Sequence, residues 1–206
     1  MDWADEQEQS RDRIWKAYLD DLPVLAVALG REHVRRYPMD SEGWLELASP
    51  LMELRRLREA RAALHRAAEF ADADELPRVF DRMGELYDAQ GRLSSAVHWY
   101  RRALEADPAE CCRHVTLGRA LAKCGRWHEA QESLRAATSA SAGDITEAWC
   151  ELGLLFVTLE RLEEAQACFS RVLDQRPGYA KALSALKDVE LVLQRRNSPE
   201  RKDGLR

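Results

Sequence analysis

Chemistry would first be sought where cysteine, histidine and carboxylate side chains gather. Cys111, Cys112 and His114 stand within four residues of one another, and thiolate with imidazole is a zinc-binding donor set. Adjacent cysteines rarely hold one zinc together, however, and no fourth ligand stands at a metal-binding spacing. These thiols read as packing groups, and no metal or other cofactor is expected. The pairs Asp20–Asp21 and Glu163–Glu164 offer two carboxylates each, but they fall in capping or exposed helical settings, where they favour solubility and the helix dipole. His33, His65, His98 and His128 are scattered without HExxH spacing. There is no glycine-rich phosphate loop, dinucleotide fingerprint or GxSxG elbow. No residue is assigned to catalysis, and a non-enzymatic protein is expected.

Composition narrows the class further. The chain has 206 residues, 33% of them charged, with the signs interspersed and a net charge of −5. A sequence-independent nucleic-acid binder would carry a basic excess to neutralise phosphates, so that class is disfavoured. The longest apolar run, Leu22 to Leu29, is interrupted by Pro23 and too short to span a bilayer, so no membrane role is expected. The start, MDWADEQEQS, is acidic and polar rather than signal-like. Five cysteines form no CxxC pair, which fits reduced thiols. A cytoplasmic setting is the expectation.

Only ten glycines and seven prolines stand among abundant Ala, Leu, Glu and Arg, so the elements should be helices. One stretch, Pro77 to Glu110, sets the pattern with Phe80, Met83–Gly84, Tyr87, Gly91, Ala96, Tyr100, Ala103 and Pro108. It recurs at about 34 residues. Residues 41–74 offer Trp44, Leu47–Ala48, Leu51, Ala60, Leu64 and Ala67. Residues 111–144 offer His114, Leu117–Gly118, Leu121, Gly125, Ala130, Leu134 and Ala137. Residues 146–179 offer Trp149, Leu152–Gly153, Phe156, Ala165, Phe169, Val172 and Pro177. Residues 7–40 give a weaker copy, with Arg13, Gly30 and His33 where the pattern wants apolar or small groups.

Each copy predicts two antiparallel helices joined by a short turn. Glycine inside a helix costs about 1 kcal/mol relative to alanine, so Gly84, Gly118 and Gly153 at one register imply close helix approach, facing Ala96, Ala130 and Ala165. Pro50 falls inside a first helix and should bend it. A further helix, 180–195, carries Lys187 at the small position and reads as a solvating cap. Residues 1–6 are expected to fray, and 196–206 to form a disordered tail. Residues 7–195 are expected to form a single array.

These four concordant copies resemble the tetratricopeptide repeat (TPR) family, strongly over residues 41–179 and weakly over 7–40. The resemblance implies an all-α fold, a right-handed α-solenoid of stacked helix–turn–helix hairpins with a C-terminal capping helix. It also implies a concave groove, lined by the first helices, that grips an extended or helical segment of another protein. The family's groove positions are the second, fifth, ninth, twelfth and thirteenth of each unit. Among those positions, the expected partner-binding residues are Leu45, Ser49 and Met52; Arg78, Asp81, Glu85 and Asp88; Val115, Arg119, Ala122 and Lys123; and Leu154 and Val157. The middle of the groove would be acidic and its C-terminal end apolar, suiting a segment with Lys or Arg beside aliphatic residues. The solvated-face reading of those charges stands beside it.

In the family's best-known site, Lys, Asn and Arg side chains on three successive first helices clamp the C-terminal carboxylate of heat-shock chaperones. Arg78 and Arg82 match its last pair, while Arg11 and Trp15 stand at the first and Glu46 replaces the central Asn. A carboxylate there repels the ligand, so the clamp is rejected. Three functional readings follow: an adaptor or scaffold binding a protein segment, a self-associating structural protein forming a homodimer, and a secretion or assembly chaperone. Trp3, Trp99 and Trp127 are candidates for a second contact surface.

Overall fold

The computed structural model describes residues 3–139 and 144–197. Among them are eleven α-helices and no strand: α1 (Trp3–Leu19), α2 (Pro23–Arg36), α3 (Ser41–Glu53), α4 (Leu57–Phe70), α5 (Leu76–Ala89), α6 (Leu93–Ala106), α7 (Cys111–Lys123), α8 (Trp127–Thr138), α9 (Ile145–Thr158), α10 (Leu162–Gln175) and α11 (Ala180–Asn197). The protein is an all-α helical repeat, as the sequence predicts. It divides into two compact units, Met1–Pro108 with α1 to α6 and Ala109–Arg206 with α7 to α11.

The same turn ends five first helices, and its chemistry explains the repeat spacing. Asp21, Arg55, Gly91, Gly125 and Glu160 all have φ between +58° and +73°, a left-handed residue just past a helix end. In each turn the next N–H reaches back five residues, as Arg92 N does to Tyr87 O at 2.9 Å and Arg161 N to Phe156 O at 2.9 Å. The left-handed residue itself bonds one carbonyl further on, Gly91 N to Asp88 O at 2.8 Å. These bonds satisfy carbonyls that a helix end would otherwise leave open. Arginine follows the turn at 56, 92, 126 and 161, and three of the four pair with a glutamate three residues on: Glu59, Glu129 and Glu164.

Helix contact within the hairpins depends on small residues. Ala48, Ala60, Ala96, Ala130 and Ala165 are fully buried. The three expected glycines are buried too; Gly118 faces the Ala130 backbone, its carbonyl 3.4 Å from an added Cβ, but the nearest neighbour of each glycine is a large side chain. A Cβ on Gly84 would stand within 2.7 Å of Tyr100 Cζ, on Gly118 2.6 Å from Leu134 Cγ, and on Gly153 2.7 Å from Phe169 Cε1. What the glycine admits is the large side chain one turn beyond each alanine. Completely burying a side chain such as Leu64 or Phe169 contributes about 1.5–3 kcal/mol, more than the intrinsic helix cost of the glycine.

The weak first hairpin keeps this size balance by inverting it. Ile14 occupies the eighth position, where the other units have Ala or Gly, and is buried. Gly30 takes the twenty-fourth, where they have Leu, Tyr or Phe, and admits Leu47 of α3, whose Cδ1 would lie 2.9 Å from an added Cβ. His33 is buried but satisfied: Nε2 donates to Asp40 Oδ2 at 2.7 Å, and Nδ1 lies 3.0 Å from Ser10 Oγ. Arg13, the third mismatch, is exposed.

Several details differ from the sequence reading. Helix α1 begins at Trp3, so residues 3–6 of the start expected to fray are helical. Glu6 binds Arg36 at 2.5 Å and the Trp3 ring meets Tyr37 edge-on. Pro50, by contrast, lies inside α3, where the sequence reading puts it. Trp99 is half-buried beside Phe80 and stacked on Tyr87, with the Arg102 guanidinium 5.0 Å above it, so it packs where a contact surface was considered. Of the expected tail, 196–197 belong to α11 and 198–206 lie outside the described residues.

Candidate functional site

In each unit, charged side chains tie neighbouring first helices together. In unit 1, Glu42 of α3 accepts from Arg11 of α1 on one oxygen and from Arg78 of α5 on the other, the latter at 2.8 Å. Arg82 binds Glu85 at 2.7 Å. In unit 2, Glu151 of α9 holds Lys181 of α11 at 2.7 Å and stands 3.9 Å from Arg119 of α7. A carboxylate on the middle helix thus links both neighbours in either unit.

The thirteen expected contact residues do not all reach a surface. Leu45, Ser49 and Val115 are buried, so in the free chain they belong to the packing beneath the helices. Met52 is half-buried against the unit 1 core. Arg78 is exposed, and Asp81, Glu85 and Asp88 are half-buried. The acidity expected there is offset by Arg78 and Arg82, which bind Glu42 and Glu85.

Unit 2 gathers more of the set. Arg119, Ala122 and Lys123 of α7 join Glu151, Leu154 and Thr158 of α9 around a hollow of about 230 Å³. Leu154 also lines an adjoining hollow of about 210 Å³ with Val157, Leu162, Ala185, Asp188, Val189 and Val192. The second hollow brings in α11, whose residues the sequence reading left out. The signal was present: the same groove positions counted from Ala180 fall on Lys181, Ser184, Asp188, Leu191 and Val192. Counted from Gln7, they include Trp15 and Leu19 of α1, which are 45% and 65% exposed.

Among the described residues of unit 1, two buried side-chain oxygens lack a hydrogen-bond partner, Tyr37 Oη and Glu46 Oε2. Burial, with Glu42 and Asp40 nearby, pushes the Glu46 carboxyl up to about 7 against the pull of Arg11 and Arg78. The Ser10–His33–Asp40 chain resembles a proton relay in residue types alone. Ser10 lies within α1, where backbone N–H groups are spent on the helix and none converges as an oxyanion donor. The thiols are similarly quiet. Burial raises Cys111, Cys150 and Cys168 above the ordinary value, Cys168 to about 11, so little thiolate forms at neutral pH. Cys111 Sγ lies 3.6 Å from the Asp144 carbonyl while Cys112 is exposed, and among the described residues no three His, Cys, Asp or Glu side chains could share a metal ion. No described helix is long and apolar enough to cross a membrane.

Comparison with known proteins places these surfaces in context. Tetratricopeptide repeat family models match residues 77–110 and 115–180. No curated protein matches the chain in sequence. A thermophilic protein of this repeat class from Thermus thermophilus is similar in structure, with a TM-score of 0.70 at 19% identity over 90% of this chain and 99% of that one. YrrB, described as having an unusual peptide-binding site, gives 0.64 at 18% identity over 86% and 90%. The first such domain of Spaghetti (RPAP3), bound to the HSP90 peptide SRMEEVD, gives 0.54 at 24% identity over 60% and 96%. These likenesses concern the fold.

Proposed function

The chain is a tetratricopeptide-repeat protein, and on that premise we propose that it is a non-enzymatic adaptor binding a segment of another protein on its first-helix surfaces. The observation that carries this reading is the hollow between α7 and α9. It brings four of the expected contact residues, Arg119, Ala122, Lys123 and Leu154, to one place. Two relatives in fold, YrrB and the RPAP3 domain, are described with a peptide-binding site or a bound peptide, which supports a protein partner here. The segment is expected to carry Lys or Arg beside aliphatic residues.

The clamp for a terminal carboxylate does not suit this chain. Glu42 already fills the space between Arg11 and Arg78 with its own carboxylate, and Glu46 stands where a ligand carboxylate would need a neutral donor.

Affinity capture from cells, with the tagged full chain and with Leu154→Asp plus Thr158→Arg, tests the adaptor reading. A partner retained at stoichiometric level by the native chain and lost by the variant, with thermal unfolding unchanged, is the expected result. No stoichiometric partner, or one indifferent to both changes, would remove it. A second reading, self-association, draws on exposed Leu22, Val24 and Leu25 at the first hairpin. Light scattering decides it: a mass that stays monomeric across concentration excludes a dimer.

A further inference from the structure

Helix α11 does more than end the repeat. A helix that only solvates the array should present polar groups outward, yet Leu191 and Val192 near its end are 47% and 48% exposed. Ala182 and Val189 of the same helix are buried, which anchors α11 while leaving an apolar depression beside it. Its walls are Leu154 and Val157 of α9, Leu162 of α10, and Ala185, Val189 and Val192 of α11. At about 210 Å³ it exceeds the roughly 150 Å³ of an apolar cavity that accepts benzene, so one branched aliphatic side chain fits.

The charges at its edge favour one kind of neighbour. Lys181 is engaged by Glu151, and Arg196 by Glu163. Asp188 lines the hollow, is exposed, and has no ion pair among the described residues. Lys187, next along the helix, is not part of the lining. A cation on the incoming chain would meet an unneutralised carboxylate beside the apolar floor.

We propose that this hollow docks a leucine or isoleucine of a partner segment that carries Lys or Arg one or two residues away, paired with Asp188. The proposal deepens the adaptor reading and rests on it: α11 is part of the recognition surface as well as the end of the array.

Methyl NMR of the full chain tests it with two capped octapeptides, one with a central leucine flanked by lysines and one with the same leucine flanked by glutamates. The lysine peptide should move the Leu154, Val157, Val189 and Val192 methyls and bind roughly threefold or more tightly than the glutamate peptide, the size of one exposed ion pair. Asp188→Lys should reverse that preference, an outcome that misfolding cannot mimic. Equal responses to both peptides, or no methyl shifts at millimolar peptide, would overturn the proposal. Shifts confined to the Ala122–Thr158 hollow would overturn it while leaving the adaptor reading standing. Methyl shifts with protein concentration alone would assign the hollow to a second copy and overturn it too.

Discussion

Gly84 of α5 lies directly against the ring of Tyr100 on α6, so close that a β-carbon would stand within 2.7 Å of Tyr100 Cζ and nearer still to two other ring carbons. Tyr100 is buried and its ring is rigid, so the ring cannot move aside as a flexible chain end would. The helices of this hairpin owe their separation to a missing side chain.

Gly84→Ala should therefore destabilise the protein despite alanine's better helix propensity. Overpacking costs about 1–3 kcal/mol, against about 1 kcal/mol gained in the helix, so a net loss of up to about 2 kcal/mol is expected. Urea denaturation measures it. A more stable variant would mean that the close approach is not what fixes the hairpin.

The turns allow the opposite experiment. Asp21, Arg55 and Glu160 hold the left-handed conformation at φ +58° where Gly91 and Gly125 serve the other two turns. A non-glycine residue there costs roughly 1–2 kcal/mol. Glu160→Gly should raise the stability by about 1 kcal/mol once the freedom glycine adds to the unfolded chain is counted. Differential scanning calorimetry would show a higher Tm, and a lower one would contradict the turn assignment.

Much of this was legible because the signals are local. A 34-residue period, a glycine at a fixed register and a short turn between paired helices each follow from a few neighbouring residues. What escaped depends on the third dimension. Leu45, Ser49 and Val115 sit at groove positions yet are buried, because burial depends on how neighbouring helices are packed. The acidic stretch 81–88 reads as charge in sequence, but Arg82 neutralises Glu85 within it, and Arg78 beside it reaches Glu42, 36 residues away. Ile14 and Gly30 look like a broken repeat until their sizes are seen to be exchanged. The hollow shared by α9 and α11 is not a local signal, because it forms only where residues far apart in the chain pack side by side.

Glu46 gives the stability a pH dependence. Its carboxyl is raised to about 7 in the folded protein and returns to near 4.5 on unfolding. Between those values the folded state holds a proton that the unfolded state has released, so stability falls as pH rises from about 4.5 through 7. Glu46→Gln should leave stability at pH 4 nearly unchanged and raise it at pH 8, on the order of 1 kcal/mol after allowance for solvent screening. An identical effect at both pH values would show that the carboxyl ionises normally.

A peptide ending in Glu-Glu-Val-Asp should not bind. Arg11 and Arg78 are held by Glu42 and Glu46 repels a further carboxylate. Calorimetric titration at pH 8 is expected to give no heat beyond dilution, while Glu42→Ala with Glu46→Asn releases Arg78 and leaves Arg11 only its contact with Asp40 at 3.7 Å, and should permit weak binding. Tight binding to the native chain would mean that those arginines exchange partners readily.

Hydrogen–deuterium exchange on the protein with its captured partner tests the binding surface most directly. Slower exchange is expected along the first helices of unit 2, at 119–123, 151–158 and 185–192, with α8 and α10 unchanged. Protection confined to α8 and α10 would place the partner on the second helices and contradict the account.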